Sequence, residues 1–329
     1  MKYLWLTACL QCALLAGPIH AAEGARTARS VAGPQGASVP AQQLLYASPT
    51  TLDHAGRIVA PVMIDGRGPY RFIVDTGAGY SSISPGLAMF LGLDSVPKAV
   101  LEVNGITGSA SVPSATIRLL SAGDLRIADQ RLPIIWAPVM AGADGILGVA
   151  GLTHDCITVN FKWNRVQISR CDWLQVPVYG EGIRAIRLTG GLIAVPARIG
   201  SVRLQAIIDT GSAHTLGNLA LRAALHLPTP LADSPAVTKV YGVTPTVATG
   251  DVQPSPAIRL GPVVSVSGGS IVYGDFHIFH VWGLTDRPAV IIGMDVLGTV
   301  EQLGIDFQHP EIYLQGAQPD SHGYEQKIY

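Results

Sequence analysis

Two nearly identical motifs, one in each half of this 329-residue chain, limit the folds that it can adopt. Asp75-Thr76-Gly77-Ala78 directly follows the apolar run Phe72-Ile73-Val74, and Asp209-Thr210-Gly211-Ser212 directly follows Ala206-Ile207-Ile208. Short apolar runs rich in β-branched residues and bounded by turn-forming residues predict buried strands. We therefore expect each aspartate to stand where a buried strand ends.

Four further features follow each motif in the same order: a short helical pattern, a glycine turn, an apolar-apolar-Gly triplet and a hairpin. The first copy has them at Gly86–Leu93, Asn104–Thr107, Ile146-Leu147-Gly148 and around Phe161. The second copy has them at Asn218–Leu227, Tyr241–Thr244, Ile291-Ile292-Gly293 and around Phe307. Self-similarity of this kind is the signature of an internal repeat, and it predicts a duplicated domain.

Most of the remaining sequence alternates apolar and polar residues in short runs that end at Gly, Pro, Asn or Asp. Apolar residues make up 48% of the chain and charged residues 14%, so the chain can bury a sizeable core. The sequence predicts an all-β architecture of two small lobes related by a pseudo-twofold axis, each with one or two short helices. The net charge of −1 argues against a nucleic-acid partner, which would require a basic excess.

The repeated Asp-Thr-Gly has two possible explanations. One is structural, because Asp and Thr favour turns and Gly accepts a positive φ. The buried strand before each aspartate favours a chemical role instead, because an unpaired carboxylate beside an apolar core is costly. A twofold axis would bring Asp75 and Asp209 together, and like charges about 3 Å apart cannot both ionise. The pair would then hold one proton and supply one acid and one base, which suits activation of water against an amide.

With these motifs the chain resembles the aspartic proteases of the retropepsin type, in a bacterial, exported, single-chain form with both lobes fused. The resemblance extends from Val59 to Leu314 and rests on the strand, the Asp-Thr-Gly-Ala/Ser motif and the later triplet, each present twice. It implies two acid-protease β-barrel lobes and an aspartic endopeptidase that acts on extended protein or peptide segments. Two fused lobes would complete the site in a monomer, and we expect no cofactor and no metal ion.

The resemblance assigns roles residue by residue. Asp75 and Asp209 would be the catalytic carboxylates that hold the lytic water. The residues that support them would be Thr76, Gly77, Ala78, Thr210, Gly211 and Ser212, with the threonines forming hydrogen bonds between the lobes and the glycines letting backbone N–H groups approach the carboxylates. The flap tips that close over a peptide would be Gly105, Ile106 and Thr107 in the first copy and Gly242, Val243 and Thr244 in the second.

The sequence departs from the retropepsin pattern in two places. Retroviral members commonly carry acidic residues just after the motif, where they bind the substrate backbone, but this chain has Gly79-Tyr80 and Ala213-His214 there. The second copy continues its triplet with Asp295, close to the family's Gly-x-Asp-x-Leu, whereas the first copy has Ala150 at that position. We therefore expect an asymmetric cleft that reads its substrate in one direction.

The N-terminus has one cation, then a mostly apolar stretch and small residues that end at Ala21-Ala22. This order predicts a secretory leader over residues 1–22, with an uncleaved anchor as the alternative. Residues 23–50 lack apolar periodicity and are interpreted as a flexible or propeptide-like arm. The lobes are predicted at 51–175 and 176–315, followed by a polar tail at 316–329. We expect a periplasmic or secreted protein without stable membrane insertion after the leader is removed.

Removal of the leader would leave two cysteines, Cys156 and Cys171, on the two strands of the hairpin around Phe161. A turn at Trp163-Asn164 would place the two cysteines directly opposite each other. Because residues paired across strands have nearby Cβ atoms, this register predicts a disulfide in an oxidising compartment. Two free thiols in a reducing compartment are the alternative.

His277 and His280 in Asp275–Trp282 have a spacing that occurs in metal sites. Their alternation with Phe, Ile and Val predicts a strand, in which residues three apart lie on opposite faces, and this argues against a shared metal ion. The leading functional hypothesis is thus an exported aspartic endopeptidase. A non-catalytic peptide-binding protein on the same fold is the alternative, and the missing acidic residues after the motif fit it.

Overall fold

The computed structural model of the protein describes residues 48–49, 51–53, 56–93, 100–136, 138–171, 182–228, 236–261, 264–266 and 269–316. The predicted leader lies outside the described residues, as do the arm apart from Ser48–Pro49 and the tail apart from Gly316. The boundary between residues 175 and 176 lies outside them as well, so the bounds of the two lobes stay predictions. No helix in the described ranges is long and apolar enough to cross a membrane.

The N-terminal half of the described chain consists mainly of strands. They are β1 (Ser48–Pro49), β2 (Thr51–Leu52), β3 (Ile58–Ile64), β4 (Arg67–Val74), β5 (Ser82–Ile83), β6 (Val100–Gly105), β7 (Gly108–Ala122), β8 (Leu125–Pro133), β9 (Gly145–Leu147), β10 (Asp155–Asn160) and β11 (Arg165–Arg170). One α-helix, α1 (Pro85–Leu91), falls on the predicted helical pattern. It begins after Ser84, whose Oγ accepts the N–H of Leu87 at 3.1 Å, as an N-cap does.

The C-terminal half repeats this plan. Its strands are β12 (Ile183–Arg184), β13 (Ile186–Arg187), β14 (Ile193–Ile199), β15 (Val202–Ile208), β16 (Leu216–Gly217), β17 (Val237–Tyr241), β18 (Val247–Pro254), β19 (Ile258–Leu260), β20 (Val264–Val266), β21 (Ser270–Tyr273), β22 (Ala289–Ile292), β23 (Val300–Asp306) and β24 (Glu311–Gly316). Its helices are α2 (Leu219–Ala224), α3 (His277–Val281) and α4 (Met294–Leu297). The mostly-β composition confirms the predicted all-β fold class and is consistent with the predicted acid-protease fold.

The two halves form two sheets with the same central pairing. The first sheet has the order β5-β9-β4-β3-β7-β6, and the second has the order β17-β18-β21-β16-β22-β15-β14-β19-β20. In each sheet the strand before the aspartate, β4 or β15, pairs in parallel with the strand of the apolar-apolar-Gly triplet, β9 or β22. All residues of β9 and β22 are buried, which explains why they are continuous apolar runs rather than alternating ones.

A third sheet joins the two halves. It has six strands in the order β1-β11-β10-β23-β24-β12 and combines the final hairpin of each copy. Its central pair is β10 with β23, antiparallel, in which Cys156 lies opposite Asp306. The apolar side chains of this sheet, among them Ile157 and Leu303, are buried in the same core cluster as Phe72 and Ile208. One continuous core therefore supports the ends of both β4 and β15.

Cys156 and Cys171 form the predicted disulfide, with a Cα–Cα distance of 5.1 Å. The predicted register is nevertheless wrong, because Cys156 lies opposite Ser169 rather than Cys171. The loop has four residues, 161–164, instead of two, and the N–H of Trp163 donates to Asn160 Oδ1 at 2.9 Å. Cys171 is therefore a diagonal neighbour on the same face as Ser169, still within disulfide reach. A disulfide is compatible with export.

The segment around His277 and His280 is helix α3, so the predicted strand is wrong there. Ile278 and Phe279 are buried and pack with Phe276 in the core of the second sheet, and a single helical turn can bury this adjacent apolar pair on one side. The two histidines have different partners: His277 Nε2 lies 3.1 Å from Asn104 Oδ1, and His280 Nε2 lies 2.8 Å from Asp275 Oδ1.

Candidate active site

Asp75 and Asp209 occupy equivalent positions at the ends of β4 and β15. The backbone N–H of Asp75 donates to the carbonyl of Leu147 at 3.0 Å, and that of Asp209 donates to the carbonyl of Ile292 at 3.1 Å. These bonds continue the parallel pairing with β9 and β22 by one residue. The strand pairing therefore fixes the backbone of each aspartate, and the chain turns away only after it.

The two loops after these strands meet each other. A Cβ added to Gly77 would overlap the carboxyl group of Asp209, and a Cβ added to Gly211 would overlap that of Asp75. Each carboxyl thus packs against the backbone of the opposite loop. Glycine is required at both positions because any side chain would occupy the space of a carboxyl.

The two carboxyl groups lie close together, because each packs against the motif glycine of the opposite loop and both line one cavity. Backbone donors approach each of them from its own loop. Asp75 Oδ1 accepts the N–H of Gly77 at 2.9 Å, and Asp209 Oδ1 accepts the N–H of Gly211 at 2.9 Å and of Ser212 at 3.0 Å. Ala78, the counterpart of Ser212, donates its N–H to the backbone carbonyl of Asp75 at 3.3 Å.

Burial shifts the titration of both aspartates. It raises the pKa of Asp209 well above the usual range, and the nearby charge of Asp75 and the hydrogen bond to it raise this pKa further. Burial also raises the pKa of Asp75, but the hydrogen bonds from Asp209 and Gly77 and the positive charge of Arg57 oppose the shift. The pair therefore retains one proton at pH values where an ordinary aspartate has lost it.

Thr76 and Thr210 cross-link the two loops beneath the carboxyls. Thr76 N–H donates to Thr210 Oγ1 at 3.2 Å, and Thr210 N–H donates to Thr76 Oγ1 at 3.1 Å. Each hydroxyl in turn donates across to the opposite strand: Thr76 to the carbonyl of Ile208 at 2.7 Å and Thr210 to the carbonyl of Val74 at 2.6 Å. Both threonines are buried, so these four bonds fix the separation of the two strand ends.

The residues predicted as flap tips in the two copies lie against each other. Gly105, Ile106 and Thr107 form the turn between β6 and β7, and Gly242, Val243 and Thr244 begin the turn between β17 and β18. The hydroxyls of Thr107 and Thr244 are 3.0 Å apart, and both side chains are buried. A Cβ on Gly105 would lie 2.8 Å from Val243 Cγ2, so the turns are in direct contact.

A cavity of about 490 Å³ lies between these turns and the two aspartates. Its volume falls within the range of ordinary ligand sites. Apolar side chains from both copies line most of it, including Ile106, Pro138, Val240, Val272, Ile278 and Trp282. The cavity thus combines the two neighbouring aspartates with walls suited to apolar side chains.

Sequence reasoning missed two residues of this region. Arg57 lines the cavity although it precedes a buried strand, and its only sequence signal is Asp53 four residues earlier. His277, assigned to a strand, touches Asn104 at the base of the first flap turn. In the described part of the chain, the one cluster of three side chains that could ligate a metal ion is Cys156, Cys171 and Asp306, and its two sulfurs are joined to each other.

Comparison with known families gives a match to part of the chain. A family model described as aspartyl protease matches residues 60–150, which contain Asp75, the first flap turn and the triplet Ile146-Leu147-Gly148. This match supports an aspartyl protease family and a peptidase activity. Asp209 and the rest of the second copy lie beyond the matched residues. The comparison with curated proteins finds no match to this chain.

Proposed function

We propose that this protein is an aspartic endopeptidase that cleaves extended protein or peptide segments with Asp75 and Asp209 as its catalytic pair. The observation that carries the proposal is the juxtaposition of two carboxyls, that of Asp209 buried and that of Asp75 partly buried, each packed against the opposite loop and both lining one cavity. Such a pair holds an acid and a base side by side, which is the requirement for adding water to an amide.

In the proposed reaction the ionised carboxylate accepts a proton from a water molecule, and the water oxygen bonds to the scissile carbonyl carbon. The protonated carboxyl donates its proton to the carbonyl oxygen, which gives a neutral tetrahedral diol. In the second half, the amide nitrogen takes a proton from the pair, the C–N bond breaks, and a carboxylic acid and an amine leave. The proton count of the pair is restored, because the diol returns the other proton to it.

The remaining predicted site residues serve this chemistry by holding the pair in place. The threonine cross-link sets the distance between the carboxyls, and misplacement by 1 Å can cost about 10²-fold in rate. The contacting flap turns cover the cavity and exclude water from the reacting carbonyl. A peptide would enter after the turns separate, with apolar side chains beside the scissile bond against Ile106, Ile278 and Trp282.

Export is part of the proposal. Its support is the N-terminal sequence pattern of residues 1–22 together with the disulfide between Cys156 and Cys171, a bond favoured in oxidising compartments. A monomer with lobes at 51–175 and 176–315 would be sufficient, because both aspartates come from one chain.

The direct test is incubation of the purified protein with a mixed peptide library, with and without a statine-type inhibitor. We expect inhibitor-sensitive cleavage that falls by about 10²–10⁴-fold in Asp75→Asn and in Asp209→Asn, since each variant removes half of the acid–base pair. Thermal unfolding of both variants is the control for folding. Undiminished cleavage in either folded variant would refute the proposal, and tight peptide binding without products would favour the non-catalytic alternative.

A further inference from the structure

Arg57 is a buried cation at the edge of the carboxyl pair. The residue is 6% exposed and lies directly before β3. Its Nε and Nη2 contact Asp53 Oδ2 at 2.8 and 2.6 Å, and its backbone N–H donates to Asp53 Oδ1 at 2.9 Å. Its Nη1 lies 3.4 Å from the carbonyl oxygen of Gly211, which belongs to the loop of the other copy. The guanidinium thus stands between the Asp53 carboxylate and the loop that carries Asp209.

The β3–β4 pairing brings this cation close to one aspartate in particular: Val59 lies opposite Ile73, and the same register continued by two residues places Arg57 opposite Asp75. Gly211 is the residue whose α-carbon packs against the carboxyl of Asp75, so the Arg57 guanidinium contacts the backbone that contacts Asp75. Both Arg57 and Asp75 also line the same cavity. The cation therefore lies beside Asp75 from within its own lobe, and its Nη1 also contacts the loop of the other copy.

The second copy has no equivalent cation. Strands β3 and β14 correspond through their central prolines, Pro61 and Pro196, and this correspondence places Leu192 where the first copy has Arg57. Leu192 is buried in the core of the second sheet. The Asp209 carboxyl accepts two backbone N–H groups and the Asp75 carboxyl accepts one, and the buried Arg57 cation is a second difference between their surroundings.

We propose that Arg57 sets the position of the shared proton, so that Asp75 is the carboxylate that deprotonates water and Asp209 is the carboxyl that protonates the substrate carbonyl. This inference rests on the proposed function and assigns a direction to it. In the first step a water proton moves to Asp75 while the Asp209 proton moves to the carbonyl oxygen, and the oxygen–carbon bond forms. Arg57 itself is a positioning residue, since it acts through Asp75 and exchanges no proton.

The titration directions agree with this assignment. The charge of Arg57 lowers the pKa of Asp75 against the effect of burial, whereas the charge of Asp75 raises the pKa of Asp209. The other ionisable side chains that line the cavity are His214, Lys239 and Tyr241, all of which are exposed and so better screened by solvent. Asp53 offsets part of the Arg57 charge. It contacts Nε and Nη2 of the guanidinium, however, whereas Nη1 on the other side contacts the carbonyl oxygen of Gly211.

The test compares the pH dependence of kcat/KM in the wild type, Arg57→Gln and Arg57→Lys. Loss of the cation should move the acidic limb to higher pH by about one unit, because the base then ionises less readily, and should leave the basic limb in place. Arg57→Lys retains the charge and should restore most of the wild-type profile. Arg198→Gln, at an exposed position on β14, is the matched control and should shift neither limb.

Arg57→Gln leaves Asp53 without its buried cation and could unfold the protein. The double variant Arg57→Gln/Asp53→Asn removes both charges and should move the acidic limb in the same direction by a smaller amount. Carbon-13 NMR titration gives a reading independent of turnover. The Asp75 carboxyl in Asp209→Asn should titrate at lower pH than the Asp209 carboxyl in Asp75→Asn, and Arg57→Gln should reduce the difference.

The outcomes separate the two proposals. An acidic limb that stays in place in a folded, active Arg57→Gln or double variant would overturn the Arg57 inference and leave the peptidase proposal standing. A lower titration point for Asp209 than for Asp75 would overturn it as well. Absence of any cleavage by the wild type would instead remove the peptidase proposal, and this inference with it.

Discussion

Asp75 and Asp209 end equivalent strands, but the loops around them are braced differently in the two copies. In the second copy, the Asp295 carboxylate accepts the N–H of Thr215 at 2.9 Å and its hydroxyl at 2.7 Å, and Thr215 Oγ1 accepts the N–H of Gly293 at 3.1 Å. In the first copy, Ser81 Oγ accepts the N–H of Gly148 at 3.1 Å, and the position of Asp295 is occupied by Ala150. In both copies a side-chain hydroxyl accepts the N–H of the triplet glycine. The carboxylate that supports this hydroxyl residue is present in the second copy, where it is Asp295.

The walls of the cavity differ as well. The second copy contributes Ile278 from α3 and Trp282 from the position directly after α3. The first copy contributes Pro138 and Val139 from a turn of 3₁₀-helix. The glycine and threonine contacts at the carboxyls are, in contrast, nearly symmetric. The difference indicates that the geometry at the carboxyls tolerates little change, while the surrounding support and walls can diverge.

Substitution of the motif glycines Gly77 and Gly211 tests the contacts at the carboxyls, which are nearly the same in both copies. It should have the largest effect on cleavage and stability. Gly77→Ala would push on Asp209, and Gly211→Ala would push on Asp75, because each methyl group overlaps the opposite carboxyl. We expect each variant to lose about 10²-fold in peptide cleavage and about 1–3 kcal/mol in the free energy of unfolding. Kinetics and urea unfolding measure both quantities. Gly200→Ala, a turn position where an added Cβ meets no atom, is a control for steric overlap, although its φ of 57° adds backbone strain. A large difference between Gly77→Ala and Gly211→Ala in cleavage or in the free energy of unfolding would show that the two loops are not equivalent.

Substitution of Asp295 and Ser81 tests the loop contacts that differ between the two copies. Asp295→Ala leaves two buried donors of Thr215 without their acceptor, so we expect a loss of about 1–3 kcal/mol in the free energy of unfolding. Ser81→Ala removes one acceptor of Gly148 and should cost about 1 kcal/mol. Asp295→Asn keeps one acceptor oxygen and should fall between them. Equal losses in Asp295→Ala and Ser81→Ala, measured by urea unfolding, would contradict the difference between the copies.

The smallest expected effect concerns the pH dependence of the free energy of unfolding, which compares the two aspartates directly. A buried Asp with a raised pKa holds its proton in the folded state above about pH 3.9, where the unfolded chain has lost it. It therefore opposes folding increasingly as the pH rises through the window between the unfolded and folded pKa values. Asp209→Asn removes this penalty, so its stability relative to the wild type should increase from pH 4 towards pH 7.

The same comparison in Asp75→Asn should show a smaller increase, because the Arg57 charge opposes the rise in the pKa of Asp75. Urea unfolding at several pH values measures the relative stability of both variants. A larger gain in Asp75→Asn than in Asp209→Asn would mean that the copies differ in the opposite sense.

Much of the fold could be predicted because short sequence patterns determine its strands and turns. The apolar runs before Asp75 and Asp209, the glycine turns and the two triplets each encode a strand or turn over a few residues, and their repetition predicted the duplicated β architecture. The disulfide between Cys156 and Cys171 followed from the hairpin, although its register did not. The four-residue loop that sets this register depends on the Asn160 side chain, which the apolar pattern does not reveal.

The contacts between the copies were decided by the tertiary structure. Helix α3 replaces the predicted strand because Ile278 and Phe279 bury against the second sheet, and a short apolar run alone does not distinguish the two. Arg57 precedes a strand in the first copy yet acts beside a loop of the second, so no local pattern identifies it. Apart from the segment of α3, sequence by itself determined the strands that lead to the two aspartates and the residues that end them, since backbone preference and apolar periodicity are local. Only packing determined which side chains meet between the copies, since burial and charge proximity depend on residues far apart in the chain.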